Sequence, residues 1–284
     1  MNPYCLPDSL LEQLLHEDSP YGDATSFALG LGAHQGELHF AARQAMTLCA
    51  SEDAQRMAQM LGLHIDQPAR ASGARLTAGE PILTVSGAAD ALHRLWKPAQ
   101  TLMEYLSGIA SAVSALVDAA RAVSPDIGVA CTRKTFPGGK VACIKAVLAG
   151  GAVPHRLSVS ETLLLFAEHR TFLPDASPEA MLMALRSWSE RKTVVEVADP
   201  AEARRWIDAG AEVIQLEKCP PAQLAEVVAY ARQRAAPPLI AAAGGVHAGN
   251  AADYARAGAG LLVSSAPYHA APRDVAVSMR ARCA

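Results

Sequence analysis

From Asp126 to Ser264 the chain repeats one grammar: a short apolar run, a turn, a helical stretch, and the next apolar run. Ile127–Cys131, Thr162–Phe166, Thr193–Val197, Val213–Leu216, Leu239–Ala243 and Gly260–Ser264 are the predicted strands. Between them, Lys140–Leu148, Pro178–Arg191, the segment from Pro200 to Gly210, Pro221–Arg234 and Asn250–Ala257 are predicted helices. The strands are near-continuously apolar rather than alternating, so both of their faces must be covered, and that requires a parallel sheet flanked by helices. Asp199-Pro200 supplies an N-cap followed by proline at the first helical position, and Gly210 ends the same helix. Asp199 to Gly210 and Asn250 to Gly258 share a helix, Ala-Gly, strand pattern. No Gly-x-Gly-x-x-Gly follows a first strand, which removes the main signature of an open dinucleotide-binding sheet. Strands in this order predict an incomplete TIM-like α/β barrel.

The preceding hundred or so residues read differently. Leu38, Phe40 and Ala42 alternate in a strand pattern, Ser51 to Leu61 has helical spacing, and Pro81 to Val85 is a short strand after the turn Ala78-Gly79-Glu80. From Ala88 a long helix follows, with Pro98 expected to kink or split it. The division expected is an N-terminal α/β domain over 1–107, a barrel over 108–270, and a C-terminal helix over 271–284 that packs back on the first domain.

A net charge of −3 excludes a general nucleic-acid-binding surface, so any important cations act locally. The six cysteines are scattered without C-x-x-C spacing, which suits a reducing compartment rather than a disulfide framework or a zinc site. Neither a signal-peptide pattern nor an uncharged apolar run of about 18 residues occurs, so a cytoplasmic protein without membrane partners is expected.

In a parallel barrel the chemistry sits at the C-terminal ends of the strands. Those ends carry Thr132-Arg133-Lys134, His169, Glu196, Glu217-Lys218, Ala243-Gly244-Gly245 and Ser264-Ser265, while His155-Arg156 follows the Gly150-Gly151 break. Arginine presents a planar fork to carboxylate or phosphate, and lysine a movable point charge. Glu196 and Glu217 interrupt or end apolar runs, which is costly for a carboxylate unless it is paired or binds a cation. Two such carboxylates opposite cations suit Mg²⁺ and ribose hydroxyls facing a polyphosphate. The small-residue turns at Gly244-Gly245 and Ser264-Ser265 can bring backbone N–H groups close to a phosphate monoester. His247 falls in the cap after Gly244-Gly245. The blander alternatives are a solvated basic turn and a pair of salt bridges at the barrel rim.

Thr132-Arg133-Lys134-Thr135-x-Pro137-Gly138, Gly150-Gly151-x-x-x-His155-Arg156-Leu157, Glu196-Val197 and Ala243-Gly244-Gly245-Val246 resemble the quinolinate phosphoribosyltransferase (nicotinate-nucleotide pyrophosphorylase) family. The likeness extends to Gly22-Asp23-Ala24-Thr25 and to Leu106-Ser107-Gly108-Ile109-Ala110. It implies a type II phosphoribosyltransferase fold, in which an N-terminal α/β sandwich accompanies an incomplete barrel. It further implies a homodimer whose N-terminal domain reaches into the partner's site, and it implies Mg²⁺ and 5-phosphoribosyl-1-pyrophosphate as cofactor and substrate. By position, Arg133, His155 and Arg156, with Thr132, would grip an anionic, aromatic acceptor, and Lys134 the pyrophosphate. Glu196 and Glu217 would hold the ribose hydroxyls and the metal, Ala243-Gly244-Gly245 and Ser264-Ser265 the 5-phosphate, and Lys97 the site of a second subunit.

There are departures. Quinolinate enzymes carry Glu-Arg where this chain has Trp96-Lys97, lysine where it has Phe166, aspartate in place of Glu217 and serine in place of Ala243. Pro20-Tyr21-Gly22-Asp23, Trp96-Lys97, Thr135-Phe136-Pro137-Gly138, Val153-Pro154-His155-Arg156 and Ser160-Glu161-Thr162 together resemble the ModD branch, which is associated by name with molybdenum transport. The resemblance therefore implies a Mg²⁺-dependent phosphoribosyl transferase with an anionic, aromatic acceptor, and Phe166 and Lys97 predict poor turnover of quinolinate. True quinolinate phosphoribosyltransferase activity and a non-enzymatic oxyanion-binding protein are the two alternatives.

Overall fold

The computed structural model describes residues 5–282. The chain forms two compact units, one comprising the stretch up to Ser114, Pro137–Gly151 and the stretch from His269, the other Ala115–Phe136 and Ala152–Tyr268.

In the first unit, α1 (Asp8–Asp18) and α2 (Ala24–Ala28) precede β1 (Gln35–Ala42). The alternation in β1 buries Leu38, Phe40 and Ala42 on one face. After β2 (Met46–Thr47) comes α3 (Ser51–Met60), which buries Ala54, Met57 and Ala58. The strands β3 (His64–Gln67), β4 (Arg75–Leu76) and β5 (Pro81–Ala88) follow. Next, α4 runs over Ala89–Arg121, its residues from Ala115 onward belonging to the second unit, and with Pro98 inside it the helix is not split there. A proline there removes one helical hydrogen bond. The buried face on either side, Leu92, Leu95, Ala99, Met103, Leu106 and Ala110, holds the helix together through the interruption. By length and composition α4 could cross a membrane, but more than half of its apolar stretch is buried inside the protein.

The second unit takes up β6 (Gly128–Cys131). The next helix, α5 (Lys140–Ala149), belongs with the first unit, where Gly150 lets it close on α4: a Cβ at Gly150 would lie 2.4 Å from that of Val113. The second unit continues through β7 (Val153–Pro154), β8 (Leu163–Leu165), α6 (Ala167–Arg170), α7 (Pro178–Leu185), β9 (Thr193–Val197), α8 (Pro200–Asp208) and β10 (Val213–Glu217). It ends with α9 (Pro221–Ala231), β11 (Leu239–Ala243), α10 (Ala251–Arg256) and β12 (Leu261–Ser264). α7 stops short of the predicted Arg191, where the Ser187 hydroxyl donates to the Ala184 carbonyl and competes with helical continuation.

These strands form a parallel sheet in the order β7-β6-β12-β11-β10-β9-β8. β7 and β8 do not pair, so the barrel is incomplete and opens between them. The two-residue β7 was not among the predicted strands. Leu164, Val194, Val213 and Ala241 form a core against which Phe166 and Leu261 pack.

The C-terminal helix expected over 271–284 is instead a strand, β13 (Val275–Arg282). It pairs antiparallel with β1 along its whole length, from Gln35↔Arg282 to Ala42↔Val275, in a sheet ordered β13-β1-β5-β3. Val275, Val277 and Met279 recur with period two, and Arg282 is anchored by Glu37 (2.7 Å) and Asp66 (2.8 Å). Pairing β1 on its open edge satisfies backbone groups that a packed helix would leave exposed.

Candidate active site

The C-terminal ends of the parallel strands surround a cavity of about 680 Å³ within the second unit. The β6 end is fixed by backbone. Thr132 N donates to Ser264 O (2.9 Å), Thr132 O accepts from the Tyr268 hydroxyl (2.8 Å), and Thr132 Oγ1 accepts from Lys134 N (3.2 Å). That turn presents Arg133 and Lys134 to the cavity. At the next strand end, His155 N donates to Cys131 O (2.8 Å), which places His155 and Arg156 on the same wall. The loop beyond is held by Glu161, whose carboxylate accepts from Leu157 N and Ser158 N.

Burial pushes the His155 imidazole below its ordinary pKa, and Arg156 beside it adds to the effect. Burial likewise lowers Arg156, with Arg133 repelling it. Crowding of like charges on one wall is an arrangement that an anionic ligand relieves. Just past β8, at the opposite edge of the sheet, Phe166 carries the Arg156 guanidinium over one side, 5.6 Å from the ring centroid. His169 stacks on the same ring at 5.7 Å and accepts from Phe166 N through Nδ1 (3.0 Å).

Carboxylates face this wall. Glu196 on β9 and Glu217 at the end of β10 line the cavity, as does Glu168. Burial pushes the Glu196 carboxyl above its ordinary pKa; the Gln215 amide opposes this, Glu217 and Glu168 push further up, and Lys134 opposes. The Gln215 Nε2 donates to Glu196 Oε2 at 2.7 Å, while its Oε1 is buried without a hydrogen-bond partner among the described residues. An unmet buried acceptor costs about 1–3 kcal/mol. No group of three or more His, Cys, Asp or Glu among the described residues could hold a metal alone. Two carboxylates in one cavity nevertheless suit Mg²⁺, which takes one or two protein carboxylates and completes its shell with water and substrate phosphate.

The third wall is the turn after β11. Gly244 and Gly245 have φ of +75° and +80°. A Cβ at Gly244 would sit 2.6 Å from Glu217 Oε1, so glycine is what lets the carboxylate lie against the turn. Asn250 closes this loop, accepting from His247 N (2.8 Å) and donating to Gly245 O (3.0 Å). Lys218 enters the cavity from a left-handed backbone, φ +54°, with Nζ 3.9 Å from Glu217 Oε1.

The fold thus brings Thr132, Arg133, Lys134, His155, Arg156, Glu196, Glu217, Ala243, Gly244, Gly245 and Ser265 to one cavity. Ser264 does not line it. Its hydroxyl donates to Val246 O (2.6 Å) and accepts from Ala266 N (3.1 Å), so it shapes the turn from inside the core. Lys97 lies on α4 in the first unit, exposed, with Nζ 4.5 Å from the Trp96 ring centroid. Sequence reasoning missed Gln215 and Glu168 as cavity residues and placed His247 only in the cap. Gln215 carried the same signal as Glu196, a polar residue inside an apolar strand. Glu168, on a four-residue helix, carried none.

The profile of the quinolinate phosphoribosyl transferase N-terminal domain matches residues 23–107, and that of the C-terminal domain residues 109–278. The chain is 48% identical over 259 residues to a Rhodobacter capsulatus protein named as a pyrophosphorylase, ModD, covering 90% of this chain and 98% of that one. It is 34% identical over 198 residues to the nicotinate-nucleotide pyrophosphorylase [carboxylating] of Mycobacterium leprae, covering 69% and 68%. Its fold matches the crystal structure of NadC from Streptococcus pyogenes with a TM-score of 0.87 at 24% identity, over 97% of both chains.

Proposed function

The chain belongs to the quinolinate phosphoribosyl transferase family and is a phosphoribosyltransferase, and on that premise we propose that it moves the phosphoribosyl group of 5-phosphoribosyl-1-pyrophosphate to an anionic aromatic acceptor other than quinolinate. The observation that carries this reading is the opposition of a cationic wall, Arg133, Lys134, His155 and Arg156, to the Glu196 and Glu217 carboxylates across one cavity. Arg133 and Arg156 hold the acceptor's carboxylate through charge-assisted hydrogen bonds, and His155, its pKa lowered, donates a hydrogen bond as a neutral ring. Lys134 binds the pyrophosphate. Its charge favours departure of that group with the electron pair of the C1–O bond, as the acceptor's nucleophilic atom bonds to C1. Glu196 and Glu217 hold the ribose hydroxyls, and their charge stabilises the cationic character that develops at C1. The Gly244-Gly245 turn and Ser265 receive the 5-phosphate. Glu196 and Glu217 would also hold Mg²⁺, which neutralises pyrophosphate charge when bound.

The active form is a homodimer in which Lys97 of one subunit completes the site of the other. Phe166 argues against quinolinate, because it stands where the quinolinate enzymes carry a further lysine for the acceptor's two carboxylates. An oxyanion receptor, in turn, would have no use for carboxylates facing its ligand.

The test is pyrophosphate release from 5-phosphoribosyl-1-pyrophosphate across a panel of aromatic acids, with and without Mg²⁺. Acceptor-dependent release that disappears on chelation is expected. Tight molybdate binding with no turnover of any acid would support the oxyanion receptor instead.

A further inference from the structure

We propose that Gln215 reads a hydroxyl of the pentose, its Oε1 accepting a hydrogen bond from the bound sugar; this rests on the phosphoribosyl reading above. Gln215 lies in the middle of an apolar strand and is 4% exposed, yet lines the cavity. In register it sits beside Glu196 on β9 and Ala241 on β11. One neighbouring strand therefore carries the carboxylate, and the other leads to the Ala243-Gly244-Gly245 turn. The aromatic wall with Phe166 lies on the far side of Glu196, at the end of β8. Gln215 thus occupies the stretch of floor between the carboxylate and the phosphate turn, where a phosphorylated sugar would span.

The amide's orientation selects the ligand group. Nε2 donates to Glu196 Oε2 at 2.7 Å, and this leaves Oε1 buried and without a hydrogen-bond partner among the described residues. An unpartnered acceptor cannot bind a phosphate or carboxylate oxygen, which would repel it. It needs a donor. Ionised phosphates and acceptor carboxylates offer no donor, whereas the sugar hydroxyls do, and the sugar is the part that would span this stretch of floor. Gln215 touches Glu196 and the sugar together, so it couples the orientation of the carboxylate to recognition of the pentose.

The experiment compares ribose 5-phosphate with inorganic phosphate as calorimetric probes of the intact protein. Gln215→Met, which keeps the side-chain length but removes the acceptor together with the donor to Glu196, should weaken ribose 5-phosphate about three- to tenfold and leave inorganic phosphate unchanged. In turnover the same change should raise KM for phosphoribosyl pyrophosphate and leave the acceptor's KM unaltered. To separate direct contact from an effect through Glu196, the substitution is repeated in Glu196→Gln, where a further loss of about threefold is expected. If that further loss vanishes, or both probes weaken equally, or only the acceptor's KM moves, Gln215 does not read the sugar. Should the unaltered protein bind neither ribose 5-phosphate nor phosphoribosyl pyrophosphate, the phosphoribosyl reading itself fails and takes this inference with it.

Discussion

The guanidinium of Arg156 stands over the ring of Phe166, 5.6 Å from its centroid. The aromatic face thereby aims a cation that burial and Arg133 would otherwise make hard to place. It also removes the position at which the resemblance implies a further lysine. Charge-assisted hydrogen bonds contribute about 1.5–3 kcal/mol each, so weak contacts at positions 166 and 97 should lower kcat/KM for quinolinate by about 10²–10⁴ relative to an enzyme that makes both. Poor quinolinate turnover is expected, improved at least tenfold or so by Phe166→Lys with Lys97→Arg. Steady-state kinetics beside a nicotinate-nucleotide pyrophosphorylase decides the matter. Comparable turnover by the unaltered protein would promote the quinolinate reading.

Gly244 and Gly245 share a left-handed backbone but differ in what a side chain would meet. At Gly245 nothing lies within 4 Å, whereas at Gly244 a Cβ would press on Glu217 and Lys218. Gly245→Ala should cost only the backbone term of about 1–2 kcal/mol. Gly244→Ala should cost more and should also displace the Glu217 carboxylate. Denaturant melts of the two variants provide the check, and equal losses would mean that Glu217 has room to yield.

Glu196 holds its proton to a higher pH in the folded protein than in the unfolded chain, because it is buried. Between the two pKa values the folded state binds more protons, so stability falls as pH rises through that window. Glu196→Gln removes the loss and should raise the melting temperature at about pH 7, the difference closing below the ordinary glutamate pKa, by about pH 3, where the carboxyl is protonated in both states. The same substitution should weaken Mg²⁺-dependent binding of phosphoribosyl pyrophosphate. In the unaltered protein that binding should decline with acidification above the ordinary carboxylate range. A variant that is less stable at neutral pH, or that keeps full Mg²⁺-dependent affinity, contradicts this account.

The parallel strands were legible because a strand buried on both faces has to be apolar, and the site was legible because Glu196 and Glu217 break that rule. The cap at Asp199-Pro200 was equally plain, and Asp199 does accept from Glu202 N at 2.8 Å. The strand Val275–Arg282 was not legible. Its partner β1 lies more than 230 residues earlier in sequence, and a short run of alternating valines competes with helix on equal terms.

Lys145 was hidden for a related reason. It sits in α5 at 1% exposure, with Nζ 2.7 Å from Asp53 Oδ2 and 3.5 Å from Glu52, partners on a helix far away in the chain. Burial opposes its charge, but those carboxylates keep its pKa above the ordinary lysine value. Removing one member of a buried pair strands the other, so Lys145→Met should destabilise by about 3–5 kcal/mol. Lys145→Met with Asp53→Leu should recover part of that loss. Thermal unfolding that finds the single variant unchanged would show the pair to be dispensable.

Lys97 tests the dimer. Its ammonium lies over Trp96 and 3.3 Å from Gln100 Oε1, exposed on α4 and absent from the lining of the cavity that holds Arg133. If the family's arrangement holds, Lys97 acts in trans. A Lys97→Ala subunit and an Arg133→Ala subunit would each be defective alone. In a mixed dimer, one of the two sites receives both mutations and the other receives neither. Random exchange of equal amounts makes half of the dimers mixed, each with one intact site, so activity should return to about a quarter of the unaltered level. Were Lys97 to act within its own chain, every site in the mixture would still carry one lesion. Activity would then stay at the average of the two parents. Native mass spectrometry confirms that subunits have exchanged, and activity no higher than that average in a fully exchanged sample rules out the shared site.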